Sequence, residues 1–338
     1  MKIQHLDTTE QVVIVAEIGN NHEGDVDLAA DMIEAAAAAG ADVVKFQTIR
    51  AEHLINRENP QRFKQLKKFE LRYEQFEHLQ RVALDNDVVF MSTPFDLHSA
   101  ERLNAFVPAF KIASSDNDFF PLLDKIAGFG KPIVLSAGLT TLDGLKRSVE
   151  RLQTAWPGDD LADNLVILHC VTSYPAAEAE ANLRAIATIR EEFGITVGYS
   201  DHVVGIAAAV LSVAFGARII EKHFTLDKNF SEFRDHQLSA DPEDLHELVQ
   251  RVREAEILLG DGNKELSVGE QKILPLVRRS IVAARELPAG QTIAAEDLDW
   301  VRPIGGLSPG TEHLLLGKTL KHRVATGTFV TANDLIGD

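Results

Sequence analysis

Ile195-Thr-Val-Gly-Tyr-Ser-Asp-His202 is followed, after an alanine- and valine-rich segment closed by Gly216, by Ile219-Ile-Glu-Lys-His223. Each stretch is an apolar run that ends in a polar triplet, and the segment between them is helical in composition. Strand, helix and strand in that order form a parallel βαβ unit. Working outward, similar runs occur at 12–18, 43–47, 88–92, 110–114, 133–137 and 166–170, which makes eight with 195–200 and 219–223. All are rich in Val and Ile and lack polar alternation, as strands covered on both faces require. Amphipathic stretches at 27–39, 73–84, 141–152, 183–193 and 205–215 separate them, the first stopped by Gly40. The expected fold is α/β, a (β/α)8 TIM barrel over residues 1–262, closed by a helix near 242–259.

Beyond Asp261-Gly-Asn-Lys264 the texture changes. Residues 263–279 read as a linker with some helix. Leu287-Pro-Ala-Gly-Gln-Thr-Ile-Ala-Ala-Glu-Asp-Leu298 then repeats in pattern as Val324-Ala-Thr-Gly-Thr-Phe-Val-Thr-Ala-Asn-Asp-Leu335. The repeat marks a small pseudo-symmetric domain over 280–338.

Composition narrows the function classes. The 338 residues are 45% hydrophobic and 25% charged, with a net charge of −17. Such a charge disfavours nucleic acid and anionic membranes, because no surplus of cations exists to cover phosphates. Cys170 is the single cysteine, so no internal disulfide forms. The polar first eleven residues are unlike a secretion signal, and no apolar run reaches membrane-spanning length. The expected location is the cytoplasm.

In a barrel of this type the chemistry sits where strands end. Lys45 with Gln47 and Lys111 with Ser114 fall at such ends, and a lysine there is costly unless it meets an anion. Thr93, Ser136 and Ser200 add hydroxyls, so the rim fits a phosphate or carboxylate. His202 and His223, on adjacent strands and among the carboxylates Asp201 and Glu221, are candidate ligands for one divalent metal, with His169 as a third candidate. Cys170 has no obvious base beside it and reads as packing.

Taken together, Glu17-Ile-Gly-Asn-Asn-His-Glu-Gly24, Lys45-Phe-Gln-Thr48, Ser92-Thr-Pro-Phe95, Lys111-Ile-Ala-Ser114, Leu168-His-Cys170, Tyr174-Pro175, Ser200-Asp-His202 and Glu221-Lys-His-Phe-Thr225 resemble the sialic acid (N-acetylneuraminate) synthases. This family includes the legionaminic, pseudaminic and spore-coat polysaccharide synthases. The C-terminal repeat, with Arg302-Pro303, resembles the family's antifreeze-like (SAF) domain. The resemblance implies a carbon–carbon bond-forming transferase. Phosphoenolpyruvate would condense with an open-chain N-acetylhexosamine, N-acetylmannosamine or a diacetamido hexose, to give a nine-carbon 2-keto-3-deoxy acid and phosphate.

Carried over by residue, Lys45, Thr93, Lys111, Ser114, Ser136 and Ser200 would hold phosphoenolpyruvate. Gln47, Thr172, Tyr174, Asp235 and Arg302 would address the sugar, Arg302 from a partner subunit of a domain-swapped homodimer. Glu23, Asp116, Lys45 and Gln47 would be catalytic. His202 and His223 would hold manganese, with magnesium or cobalt as alternatives. The chain departs from the family pattern at Ala113-Ser-Ser-Asp116, at Val171-Thr172 and at Phe233-Arg234, so the resemblance leaves the acceptor sugar open. A metal-dependent aldolase or isomerase, or a sugar-binding protein without catalysis, are the competing readings.

Overall fold

The computed structural model describes residues 1–156 and 161–336. Eight parallel strands close into a barrel: β1 (Val13–Gly19), β2 (Val43–Thr48), β3 (Val89–Pro94), β4 (Phe110–Ile112), β5 (Ile133–Ser136), β6 (Leu165–Cys170), β7 (Thr196–Asp201) and β8 (Ala217–His223). β8 pairs with β1 and completes the ring.

The two-residue period of each strand splits it into two faces. Val13 and Val15, Val43, Val89 and Met91, Val134, Val166 and Leu168, and Ile219 fill the barrel's lower interior. Met1, Ile3 and Leu6 of an N-terminal hairpin join that cluster and close its floor. The intervening residues, such as Ile14, Val44, Phe90, Ile112, Ile167 and Ile220, face the surrounding helices. One more step along the inward face takes each strand from apolar to polar: Glu17 after Val15, Lys45 after Val43, Thr93 after Met91, Ser136 after Val134, Cys170 after Leu168 and Glu221 after Ile219. The apolar floor therefore excludes water from beneath a polar ring at the strands' carboxyl ends. Gly198 sits where the interior is tightest, since a Cβ there would lie 2.3 Å from the Ile219 carbonyl oxygen.

The helices follow their caps. Val26–Ala39 starts at Asp25, whose carboxylate accepts from the Asp27 and Leu28 amides, and stops at Gly40 with φ 98°. Pro242–Leu259 lies where the sequence placed the closing helix. An additional helix, Pro60–Phe69, sits between β2 and β3. It buries only Leu66 and Phe69, too few apolar positions to give a periodic signal. No helix among the described residues is long and apolar enough to cross a membrane.

The chain divides into two compact units between Gly260 and Asp261. The expected linker belongs to the second unit and contains the helix Val268–Val277, capped by Ser267. Strands β9 (Ser280–Ala283) and β10 (Leu298–Val301) pair antiparallel. The first residues of the two sequence repeats, Leu287 and Val324, exchange both backbone hydrogen bonds at 2.9 Å. Their aspartates do matching work. Asp297 accepts from the Ala294 amide and from Gln291 and pairs with Arg285 at 2.6 Å. Asp334 accepts from the amide and hydroxyl of Thr331.

Burial opposes the charge on Asp297, but these donors hold its carboxyl below the usual range. Its stabilisation is therefore present above the ordinary carboxylate pKa and lost as pH falls through the lower folded value. Asp297→Ala is expected to cost this unit ~2 kcal/mol. The check is faster hydrogen exchange at the Ile281 and Ala283 amides; unchanged exchange would refute the assignment.

Candidate active site

The polar ring is built on four charged side chains, each at most 6% exposed: Glu17, Lys45, Lys111 and Glu221. Glu17 and Lys45 are neighbours in the β1–β2 register, and Lys45 Nζ lies 2.6 Å from Glu17 Oε2. Lys45 also stands 3.6 Å from Glu221 Oε2 and donates to Thr93 Oγ1 at 3.3 Å. Lys111 donates to Ser136 Oγ at 2.6 Å and lies 3.9 Å from Glu221 Oε1, which accepts from Ser200 at 3.0 Å. Ser114 Oγ accepts from the Gly138 amide at 3.1 Å. A Cβ at Gly138 would lie 2.2 Å from Thr172 Oγ1 and 2.6 Å from Ser114 Oγ, so any other residue there would displace those hydroxyls.

Electrostatics sort the four groups. Burial raises the pKa of Glu17 against the pull of Lys45. Burial would raise Glu221 too, but Lys111, Lys45 and Ser200 bring it down to about 2. Burial lowers Lys111, whereas for Lys45 the two carboxylates outweigh burial and raise it. Two cations thus face two carboxylates, and the ring carries little net charge.

Two imidazoles stand on the same rim with ring centroids 5.5 Å apart. His202 Nδ1 meets the Val171 carbonyl oxygen at 2.8 Å, which leaves Nε2 available as a ligand. His223 Nδ1 is buried without a hydrogen-bond partner, and burial lowers that ring to about 3, so it is neutral at physiological pH. A neutral imidazole with an unpartnered nitrogen suits a metal ligand, so His223 fits such a site; His202, whose pKa is raised against burial by Cys170 and the Val171 carbonyl, offers its Nε2 as the second. The described residues contain no group of three or more His, Cys, Asp or Glu side chains able to hold an ion.

Alternation along the strands corrects two expectations here. His169 faces outward from β6, stacks on Tyr199 and meets the Ala181 carbonyl oxygen at 2.8 Å. Asp201, expected among the histidines' carboxylates, also faces outward and pairs with Lys222 at 2.9 Å in a fully buried ion pair. Cys170 faces inward, its Sγ 3.8 Å from His202 Nδ1, but that nitrogen carries the proton donated to Val171 and offers the thiol no base.

Above the ring the barrel opens into a mouth of about 400 Å³. Its polar side carries Asn20, Gln47, Ser115, Thr172, Tyr174 and Asp235. Asn20 donates to Gln47 at 2.7 Å, and Gln47 donates to Glu17 at 2.9 Å, so the mouth connects to the ring. Its other side is apolar, with Ile49, Leu54, Ile55, Leu66, Phe95 and Phe233. Arg62 and Arg234 stand at the edge, Arg234 lying 4.8 Å from the Tyr174 ring centroid.

Ten of the sequence-predicted residues line the inner cavity: Lys45, Gln47, Thr93, Lys111, Ser114, Ser136, Tyr174, Ser200, His202 and His223. Thr172 and Asp235 line the mouth. Three others are not among the residues that line either cavity. Asp116 is half-buried, accepts from Ser115 at 2.9 Å and lines neither cavity. Glu23 also lines neither and is engaged by Lys68 and Ser231. Arg302 is exposed and belongs to the second unit. Glu17 and Glu221 were not assigned a role from sequence, yet counting in twos from Val13 and from Ile219 reaches both.

The profile of the NeuB family matches residues 32–264, and that of the SAF domain matches 278–336. The N,N'-diacetyllegionaminic acid synthase of Legionella pneumophila is 39% identical over 329 residues, covering 93% of this chain and 92% of that one. The N-acetylneuraminate-9-phosphate synthase of Mus musculus is 36% identical, covering 84% and 81%. A crystal structure of the N-acetylneuraminic acid synthetase of Leptospira borgpetersenii superposes with a TM-score of 0.76 at 34% identity, covering 80% of this chain and 94% of that one. The buried ring of lysines and carboxylates thus stands in a chain that belongs to the NeuB family of sialic-acid-type synthases, with a SAF domain after its barrel.

Proposed function

We propose that this chain condenses phosphoenolpyruvate with an open-chain, doubly N-acetylated hexose, forming a nine-carbon 2-keto-3-deoxy acid and inorganic phosphate. The observation that carries the reading is the pair of buried lysines, Lys45 and Lys111, each bound to a hydroxyl that could equally serve a phosphate or carboxylate oxygen. Lys45, Thr93, Lys111, Ser114, Ser136 and Ser200 would hold phosphoenolpyruvate at the ring. The mouth would take the acceptor, with Gln47, Thr172, Tyr174 and Asp235 on its hydroxyls and amide. The apolar wall of Leu54, Ile55, Leu66 and Phe233 favours an acceptor with a second acetyl methyl over one presenting only hydroxyls there. The names of the 38–39% identical relatives point the same way.

A divalent ion held by His202 and His223, manganese by preference, would polarise the acceptor's aldehyde when bound. Its charge would also suit a ring that is near neutral before an anionic substrate arrives. The protein's own groups do the rest. Lys45 and Lys111 neutralise phosphoenolpyruvate and orient its carbon 3 towards the mouth. Bond formation there leaves positive charge at carbon 2, which Glu221, kept ionised, stabilises. Glu17, whose pKa is raised by burial, takes the proton of the water that adds at carbon 2, and that proton ends on the former aldehyde oxygen as the product's new hydroxyl. The tetrahedral hemiketal phosphate then breaks its C–O bond, and Lys111, Ser136 and Ser200 stabilise the departing phosphate.

The test is phosphate release from phosphoenolpyruvate with manganese, against a panel of N-acetylmannosamine and diacetamido hexoses and with a chelator control. Sugar-dependent, chelator-sensitive release, fastest with a diacetamido hexose, is expected. Absence of release with every sugar would overturn the synthase reading.

A further inference from the structure

Glu23 sits in the turn after β1 with φ 47°, a left-handed conformation that is uncommon outside glycine. Its neighbour Gly24 has φ 89°, and a Cβ there would lie 2.1 Å from the Lys68 carbonyl oxygen. The turn is therefore pressed against the end of the helix Pro60–Phe69. From this position the Glu23 carboxylate reaches two segments distant in sequence. Its Oε2 accepts from Lys68 Nζ at 2.8 Å, and its Oε1 accepts from the Ser231 hydroxyl. His236 Nε2, fully buried and with no hydrogen-bond partner, lies 3.6 Å from the same Oε1.

Those two segments form much of the acceptor mouth. The helix supplies Arg62 and Leu66, and the loop after β8 supplies Phe233, Arg234 and Asp235. Ser231 Oγ, while donating to Glu23, accepts from the Phe233 amide at 3.0 Å, and the Phe233 ring meets Phe69 edge-on at 5.0 Å. A single carboxylate thus holds the loop and the helix in register where Phe233 closes on the helix. Charge-assisted bonds of this kind are roughly twice as strong as neutral ones.

We infer that Glu23 is a positioning residue: it latches the loop after β8 to the helix Pro60–Phe69 and so shapes the acceptor mouth without touching the reacting atoms. The role rests on the proposed synthase reading for its kinetic consequence, but the latch itself is physical and open to separate measurement. Lys68 alone, with its side chain 64% exposed, would be a weak surface partner. The strength lies in Ser231 and in the buried surroundings of His236.

The experiment compares Glu23→Gln, Ser231→Ala and the double variant, each first checked for an unchanged melting profile. In the absence of substrates, trypsin cleavage after Arg234 is expected to quicken at least fivefold in every variant. In kinetics, the KM for the acceptor is expected to rise about tenfold, with kcat and the KM for phosphoenolpyruvate within twofold of the unmodified chain. The double variant should be no worse than the worse single one, because both changes break one link. Unchanged cleavage, or an unchanged acceptor KM, overturns the latch. A hundredfold fall in kcat at saturating acceptor also overturns it and returns Glu23 to the catalytic role expected from sequence. If the unmodified chain releases no phosphate with any sugar, the synthase reading fails, and the cleavage rate alone decides the latch.

Discussion

Lys111→Met is expected to lower kcat/KM for phosphoenolpyruvate by about 10²–10³, with the acceptor's KM within a few-fold of its original value. The size follows from where the cation stands. Lys111 is 3% exposed, bonded to Ser136 at 2.6 Å, and faces Glu221 across 3.9 Å. Water cannot replace it, so a phosphate arriving beside Ser136 would lose its nearest charge in a dry site, where such a charge counts most. Methionine keeps the stem's packing and removes only the ammonium group. Glu221 keeps Lys45 and Ser200 as partners, so the barrel should survive the change. Ser136→Ala removes the hydroxyl that Lys111 donates to and should move the same parameter by a smaller factor. Steady-state phosphate release decides the matter. A loss of less than tenfold in Lys111→Met would mean that this lysine only balances Glu221.

The barrel was legible because strands covered on both faces leave unbroken apolar runs, and all eight lie where those runs lie. The same runs concealed which residues face inward. In Leu168-His-Cys170 and Ser200-Asp-His202 the polar residues alternate between the interior and the helical layer. His169 and Asp201 belong outside, while Cys170, Ser200 and His202 belong inside. Carrying the two-residue period up from Val13 and Ile219 would have placed Glu17 and Glu221 in the ring beside Lys45. Glu23 was drawn into the site by the family resemblance alone, yet after the turn at 18–21 its carboxylate meets Lys68 and Ser231 instead of the cavity. The mouth was the least legible part. Its apolar wall joins Ile49, Leu66 and Phe95 to Phe233, residues that only the closed barrel brings together.

His223→Ala is expected to abolish measurable turnover while leaving the chain folded. Activity and stability should separate here, for a reason specific to this side chain. Its Nδ1 is buried with no partner, and an unsatisfied buried polar atom costs about 1–3 kcal/mol. Alanine loses the ring's packing against Tyr174, whose centroid lies 5.9 Å away, but it also removes that penalty. The two changes oppose each other, so the melting temperature without added metal should shift by only a few degrees. Turnover has no such compensation, because the neutral ring is one of the two imidazoles that would hold the proposed divalent ion. Manganese added to the unmodified chain should raise its melting temperature through binding to the folded state, and that rise should vanish in His223→Ala. The pairing of lost activity with lost metal stabilisation, on an unchanged metal-free fold, separates a ligand from a packing residue. Near-normal phosphate release in His223→Ala, or a manganese-induced stabilisation equal to that of the unmodified chain, would remove His223 from the metal site.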